Sequence, residues 1–202
     1  MQEITNFKRQ ELFNHYNSCD NPFIIITVKI DVTNVVEFCK QNKNFYGTLG
    51  YLVTKTVNNI DAYKYRCIDN KIYYFDKINS NYTEYYDEDL IGYYPVKYQD
   101  DYKEYITEFV KTKKEYVENK KYDTENKYNE IWLSCSPWFK FTSLVPPFSK
   151  SNTIPQFIWD KYELEGDKYY VNMMIMLHHG FGDGSHIARF IKDLENNIRN
   201  FK

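Results

Sequence analysis

An α/β layered fold is predicted for this chain of 202 residues. Three observations carry that reading. Segments rich in β-branched residues alternate with segments that place apolar side chains at helical spacing. The alternation runs the whole length with no internal repeat and no linker, which predicts a single domain over residues 1–202. An apolar run over 171–177 ends in His178-His179, meets glycines at 180, 182 and 184, and then becomes an amphipathic stretch.

Taken in order, residues 5–17 read as a short helix, and Pro22 closes the turn after it. Residues 23–31 contain Ile24, Ile25, Ile26, Thr27 and Val28 and read as a strand. Thr33 can cap a helix over 35–40, and 47–59 forms another with Leu49, Leu52, Val53 and Val57 inward. Asp69-Asn70 is a two-residue hairpin turn between strands at 65–68 and 71–75, and 81–86 is expected to extend that sheet. A charged helix over 100–119 carries Tyr102, Ile106, Phe109, Val110 and Val117 as its apolar stripe. The polar stretch 120–129 is expected to be a loop. Strands follow at 130–135, 154–162 and 168–178. The closing helix, 185–200, has Ile187, Phe190, Ile191, Leu194 and Ile198 on one stripe.

Composition narrows the classes. A formal net charge of −2 gives no basic field for nucleic acid. No apolar run approaches a membrane span, and Met1-Gln2-Glu3-Ile4 lacks a signal-peptide pattern, so a cytoplasmic protein is expected. Cys19, Cys39, Cys67 and Cys135 are scattered without metal-ligand spacing, which predicts reduced thiols and no metal. The 21 tyrosines are spread over nearly every segment, which suits a compositional bias better than a stacking surface.

The chemistry concentrates at residues 177–184. Neighbouring side chains of a strand face opposite sides, so only one of the two histidines can face a given site. Imidazole titrates near neutrality and suits a general base. A His-His pair alone is more often structural. The spacing His178-His179-x-x-x-Asp183-Gly184 is far more specific. It resembles the signature of the coenzyme A-dependent acyltransferases, a group that includes chloramphenicol acetyltransferases, dihydrolipoyl acyltransferase cores and peptide-synthetase condensation domains. The chain length is similar to that of the stand-alone chloramphenicol acetyltransferases.

Further segments resemble that family in collinear order. Phe7-Lys8-Arg9-Gln10-Glu11-Leu12-Phe13-Asn14-His15-Tyr16 is similar to its N-terminal helix, and Phe45-Tyr46 to its Phe-Tyr-Pro segment, with Gly47 in place of proline. Residues 71–76 resemble its hairpin strand, with Phe75 in place of Trp. Ser134-Cys135-Ser136-Pro137-Trp138 resembles its Ser-x-x-Pro-Trp, followed by Phe141-Thr142-Ser143, Ile154-Pro155 and Lys161-Tyr162. The resemblance implies a two-layer mixed β-sheet with packed helices and acetyl transfer from acetyl-coenzyme A to the primary hydroxyl of chloramphenicol.

It also implies roles. His179 would be the base and Ser134 the donor to the tetrahedral oxyanion, with Ser136 and Ser143 as nearby alternatives. His178 would face the other side as packing or support. Asp183 could be imagined orienting His179 as a triad acid, but the family pairs this aspartate with the arginine of the N-terminal helix, here Arg9. His186 would cap its helix. Transfer would be direct, in a ternary complex, and no cysteine has an activating partner in sequence. A homotrimer with interfacial sites is implied, with His179 from one subunit and the acceptor pocket, including Tyr16 and His15, from its neighbour. Trp138 and Tyr162 match positions on the coenzyme A side, although aromatic residues there could also be core. His15, Asp20, Pro22 and Ile158 depart from the family, Ile158 standing where a threonine is common. These departures keep two other readings open: an acetyl-coenzyme A-dependent enzyme for another hydroxyl or amine, and a non-catalytic trimeric binding protein. Arg9, Ser134, His179 and Asp183 together argue against the latter.

Overall fold

The computed structural model of the protein describes residues 1–42, 44–87, 89–123 and 127–202. In chain order the elements are β1 (Gln2–Glu3), α1 (Gln10–Ser18), β2 (Phe23–Asp31), α2 (Thr33–Asn42), α3 (Phe45–Asn58), β3 (Tyr65–Ile68), β4 (Lys71–Tyr74), β5 (Asn79–Asp87), β6 (Leu90–Val96), α4 (Tyr102–Glu118), β7 (Glu130–Ser136), β8 (Gln156–Asp160), β9 (Glu163–Glu165), β10 (Lys168–His178) and α5 (Gly184–Arg199). The main sheet runs β2–β10–β8–β7–β5–β6, with β9 also paired to β10. It is mixed: β10 is antiparallel to β2 and β8, whereas β7 is parallel to both β8 and β5. A small second sheet has the order β1–β4–β3. The α/β class and the packed layer of helices agree with the sequence reading.

Strand periodicity sorts the side chains into two faces. Val171, Met173, Ile175 and Leu177 of β10 join Phe157 and Trp159 of β8 and Ile131 and Leu133 of β7 in one core beneath the helices. Helix α5 contributes Ile187, Phe190, Leu194 and Ile198, the stripe its spacing predicts. The alternate residues Met174 and Met176 pack with Phe23 and Phe141 on the far face. Several tyrosines are core residues rather than surface ones. The Tyr82 and Tyr105 hydroxyls meet at 2.6 Å, and Ser80 links Thr54 and Tyr105 at 2.7 and 2.8 Å, which satisfies hydroxyls that burial would otherwise strand.

Several elements differ from the sequence reading, four of them for a tertiary reason. Helix α1 begins at Gln10 rather than residue 5, because residues 2–4 pair with β4 and the Ile4 N–H donates to the Ile72 carbonyl. Strand β5 does not extend the β3–β4 hairpin. It enters the main sheet, antiparallel to β6 and parallel to β7, where its Ser80 and Tyr82 reach the core. Strand β6 escaped the sequence reading because Gly92 and Pro95 read as breakers, and a sheet edge tolerates both. The strand expected over 154–162 shortens to β8, since Pro155 lacks an N–H and Ile154 turns its own to the Asn152 side chain. The hairpin turn is as expected, with Asp69 and Asn70 at φ 50° and 62°. The loop expected over 120–129 lies partly outside the described residues. Among the described residues no helix is long and apolar enough to cross a membrane, and all four cysteines are free.

Candidate active site

Strand β10 ends at His178, opposite Phe23, and the chain leaves the sheet at His179 with its N–H donated to the Pro22 carbonyl at 2.8 Å. The following turn closes when the N–H groups of Phe181 and Gly182 both reach the His178 carbonyl. Helix α1 packs directly on this turn. A Cβ on Gly180 would lie 2.6 Å from the Phe13 Cα, so Gly180→Ala must push backbone from backbone. Overpacking of this kind costs about 1–3 kcal/mol, and a lowered melting temperature by calorimetry is the expected result.

The His179 ring is held from two sides. Its Nδ1 is 3.1 Å from the Gly182 carbonyl oxygen, and its face stacks on Tyr16 with centroids 4.0 Å apart and planes inclined by 4°. A carbonyl oxygen can only accept, so Nδ1 carries the proton and Nε2 keeps a lone pair. That is the tautomer a base needs. Because Tyr16 and His179 stack within one chain, the expectation that Tyr16 comes from a neighbouring subunit is corrected: α1 and the turn belong to one packing unit. His15 is exposed and sits edge-on to the Tyr16 ring, and Asp20 is exposed as well.

Arg9 clamps the turn. Its Nε donates to the Gly180 carbonyl at 3.2 Å, one Nη to Asp183 Oδ2 at 3.0 Å, and the other Nη to the His179 carbonyl at 3.4 Å. Asp183 also caps α5, accepting from the Ser185 N–H and hydroxyl and meeting His186 Nδ1 at 3.0 Å. The Ser185 hydroxyl foremost, then His186 and Arg9, hold its carboxyl well below the usual carboxylate range. The hydrogen bonds of the Asp183 carboxylate go to Arg9, Ser185 and His186, whereas the His179 ring is oriented by Gly182 and Tyr16.

His178 has the opposite character. It is fully buried among the rings of Phe13, Phe23 and Phe181, with Nδ1 accepting the Gly180 N–H at 3.1 Å and Nε2 without a partner among the described residues. Burial, with His179 adding a smaller push, lowers its pKa to about 4, so it stays neutral as packing.

Ser134 lies elsewhere on the sheet. It pairs with Ile158, which pairs with Met174, four residues before His178. At about 3.3 Å per residue and about 4.8 Å per strand, Ser134 is roughly 13 Å along and roughly 10 Å across from the end of β10. One chain therefore does not bring Ser134 and His179 together. Ser134 and Ile158 instead line a cleft of about 630 Å³ with Thr83, Trp132 and Pro146. Ser136 is buried, its hydroxyl without a partner among the described residues, and Ser143 is exposed. Sequence reasoning missed the other polar residues of this cleft, among them Asn81, Asp123 and Glu130, which come from separate segments. Burial raises the Glu130 pKa to about 7. The only signal was an acid opening an otherwise apolar strand.

Trp138 and Tyr162 each follow by two residues the paired ends Ser136 and Asp160 of parallel β7 and β8. Trp138 is 65% exposed and rests on Tyr85, so it is not core; Tyr162 packs against Phe45 and Tyr169. Burial pushes the Cys135 thiol up to about 12, far from an activated nucleophile. Among the described residues no group of three or more His, Cys, Asp or Glu could hold a metal ion.

This architecture is shared with solved acetyltransferases. A probable dihydrolipoamide acetyltransferase of Listeria monocytogenes superposes with a TM-score of 0.71 at 13% identity, covering 100% of this chain and 96% of that one. The likeness is one of fold: a mixed sheet whose long strand, in this chain, ends at a histidine. A solved chloramphenicol acetyltransferase reaches a TM-score of 0.83 at 22% identity, with 96% of each chain covered. The chloramphenicol acetyltransferase of Proteus mirabilis is 25% identical over 209 residues, 96% of this chain and 91% of the relative. The family profile for chloramphenicol acetyltransferase matches residues 1–195, and the chain belongs to that family.

Proposed function

We propose that the protein, one domain working in the cytoplasm, transfers the acetyl group of acetyl-coenzyme A to the primary hydroxyl of chloramphenicol. The observation that carries this reading is the His179 tautomer: with Nδ1–H on the Gly182 carbonyl, Nε2 is free to accept a proton. In the proposed step Nε2 takes the hydroxyl proton while the hydroxyl oxygen bonds to the thioester carbonyl carbon. The carbonyl electron pair moves onto oxygen, where Ser134 donates a hydrogen bond. Collapse restores the carbonyl, breaks the C–S bond, and returns the proton from the imidazolium to the departing thiolate. Arg9 and Asp183 keep the turn in shape, and Tyr16 and His15 flank the acceptor beside His179. The exposed ring of Trp138, with Tyr162, would bind the coenzyme.

The distance between Ser134 and His179 within one chain supports a site shared between copies. The exposed apolar side chains of Ile91, Tyr93 and Val145 suit the same reading. We infer a homotrimer in which the His179 turn of one subunit faces the Ser134 cleft of the next. Sedimentation should then report three chains per particle.

The deciding experiment is thiol release from acetyl-coenzyme A on addition of chloramphenicol. Acceptor-dependent release supports the assignment, and none at any concentration sinks it. Ser134→Ala is expected to lower kcat by about 10²–10³-fold, the usual cost of one oxyanion donor. An unchanged kcat would move that role to Ser136.

A further inference from the structure

The far end of the Ser134 cleft has a polarity of its own. Asn81 pairs with Trp132, two residues before Ser134 on β7, and Glu130 is two residues further back on the same face. At about 3.3 Å per residue these groups lie roughly 7–13 Å from Ser134, the distal end of a bound acceptor. Asn81 is 6% and Glu130 2% exposed.

The hydrogen-bond inventory here is one-sided. The Asn81 amide donates to Glu130 Oε1 at 3.1 Å and to Asp123 Oδ2 at 3.3 Å, which uses both its N–H groups. The Trp132 indole N–H is also donated to Glu130 Oε1, at 3.0 Å. Asn81 Oδ1, buried, has no hydrogen-bond partner among the described residues. Lys127 Nζ lies 3.1 Å from both Asp123 oxygens and balances that charge. The N–H groups of Asn81 and of the Trp132 indole are thus spent while the Asn81 acceptor is left over. A buried acceptor without a donor costs about 1–3 kcal/mol, which a ligand can restore by bringing one. The nitro group of chloramphenicol offers only acceptors.

We infer that Asn81 and Glu130 select an acceptor whose end remote from the acetylated hydroxyl carries an amino group, donating N–H bonds to Asn81 Oδ1 and the Glu130 carboxyl. This deepens the proposed function and rests on its reading of the Ser134 cleft as the acceptor site. Because Lys127 already neutralises Asp123, hydrogen-bond donation rather than net charge sets the preference.

The test compares chloramphenicol with its analogue bearing an aromatic amine in place of the nitro group. Titration calorimetry on the whole protein should give at least about a tenfold lower Kd for the amine, equivalent to about 1.4 kcal/mol. Glu130→Gln, which offers an N–H of its own, should shrink that ratio. Equal affinity in the wild type, tighter binding of the nitro compound, or no binding of either overturns the inference. Thiol release with the same two compounds reads the proposed function separately. Amine preference without turnover sinks acetyl transfer and leaves the cleft's selectivity standing; turnover without amine preference does the reverse.

Discussion

His179→Gln should lower kcat for acetylation of chloramphenicol by about 10²–10⁴-fold, the range that a positioned general base supplies. Glutamine can keep a hydrogen bond to the Gly182 carbonyl and a partial contact with Tyr16, but it offers no basic nitrogen where Nε2 stands. The Arg9–Asp183 clamp holds the turn through backbone carbonyls and the α5 cap, none of which needs the imidazole. The loss should therefore fall on kcat, with the melting temperature and the KM for acetyl-coenzyme A close to wild type. Steady-state kinetics with calorimetry would show it. A loss smaller than about tenfold would remove His179 from the role of base.

Between pH 4.5 and 6.5 the stability of the wild type should be nearly flat with respect to Glu130 and His178, and Glu130→Gln should make it steep. Burial raises the Glu130 pKa from 4.5 to about 7, so across that interval the native state binds more protons than the unfolded chain. Its contribution is full below pH 4.5 and is lost as pH rises through about 7. His178 runs the other way: burial lowers its pKa from 6.5 to about 4, so the unfolded chain binds more protons there. Its contribution is full above pH 6.5 and is lost as pH falls through about 4. Each displacement is worth about 3 kcal/mol, and the two nearly cancel where they overlap. Removing the Glu130 carboxyl leaves His178 alone, so the variant should gain stability from pH 4 to 6.5 and exceed the wild type by up to about 3 kcal/mol above pH 7. Melting temperatures across pH 4–8 would reveal this. Parallel wild-type and variant curves would refute it.

Where the two readings of this chain diverge, the cause is pairing rather than propensity. The strands at 23–31 and 168–178 were legible because their apolar side chains are local and periodic. Strand β6 was not, because Gly92 and Pro95 are breakers except at an edge, and only the sheet order says that β6 is one. The pairing of residues 2–3 went unread because nothing near the N-terminus announces that β4, about seventy residues later, will take it as a strand. The Arg9–Asp183 pair was reached through family resemblance; across 174 residues no spacing rule could have found it.

From the sequence alone came the α/β class, the histidine that leaves its strand at a glycine-rich turn, the buried role of its neighbour and the family. Each rests on segments of a few consecutive residues, read one after another along the chain, where period and backbone preference act directly. Tertiary structure alone decided that Tyr16 stacks on its own chain's His179, that Ser134 of the same chain lies elsewhere on the sheet, and that Asn81, Asp123 and Glu130 share one cleft. Those facts depend on which strands pair and in what register. Register is set by burying one face of the whole sheet at once, a sum over distant residues that no local segment contains.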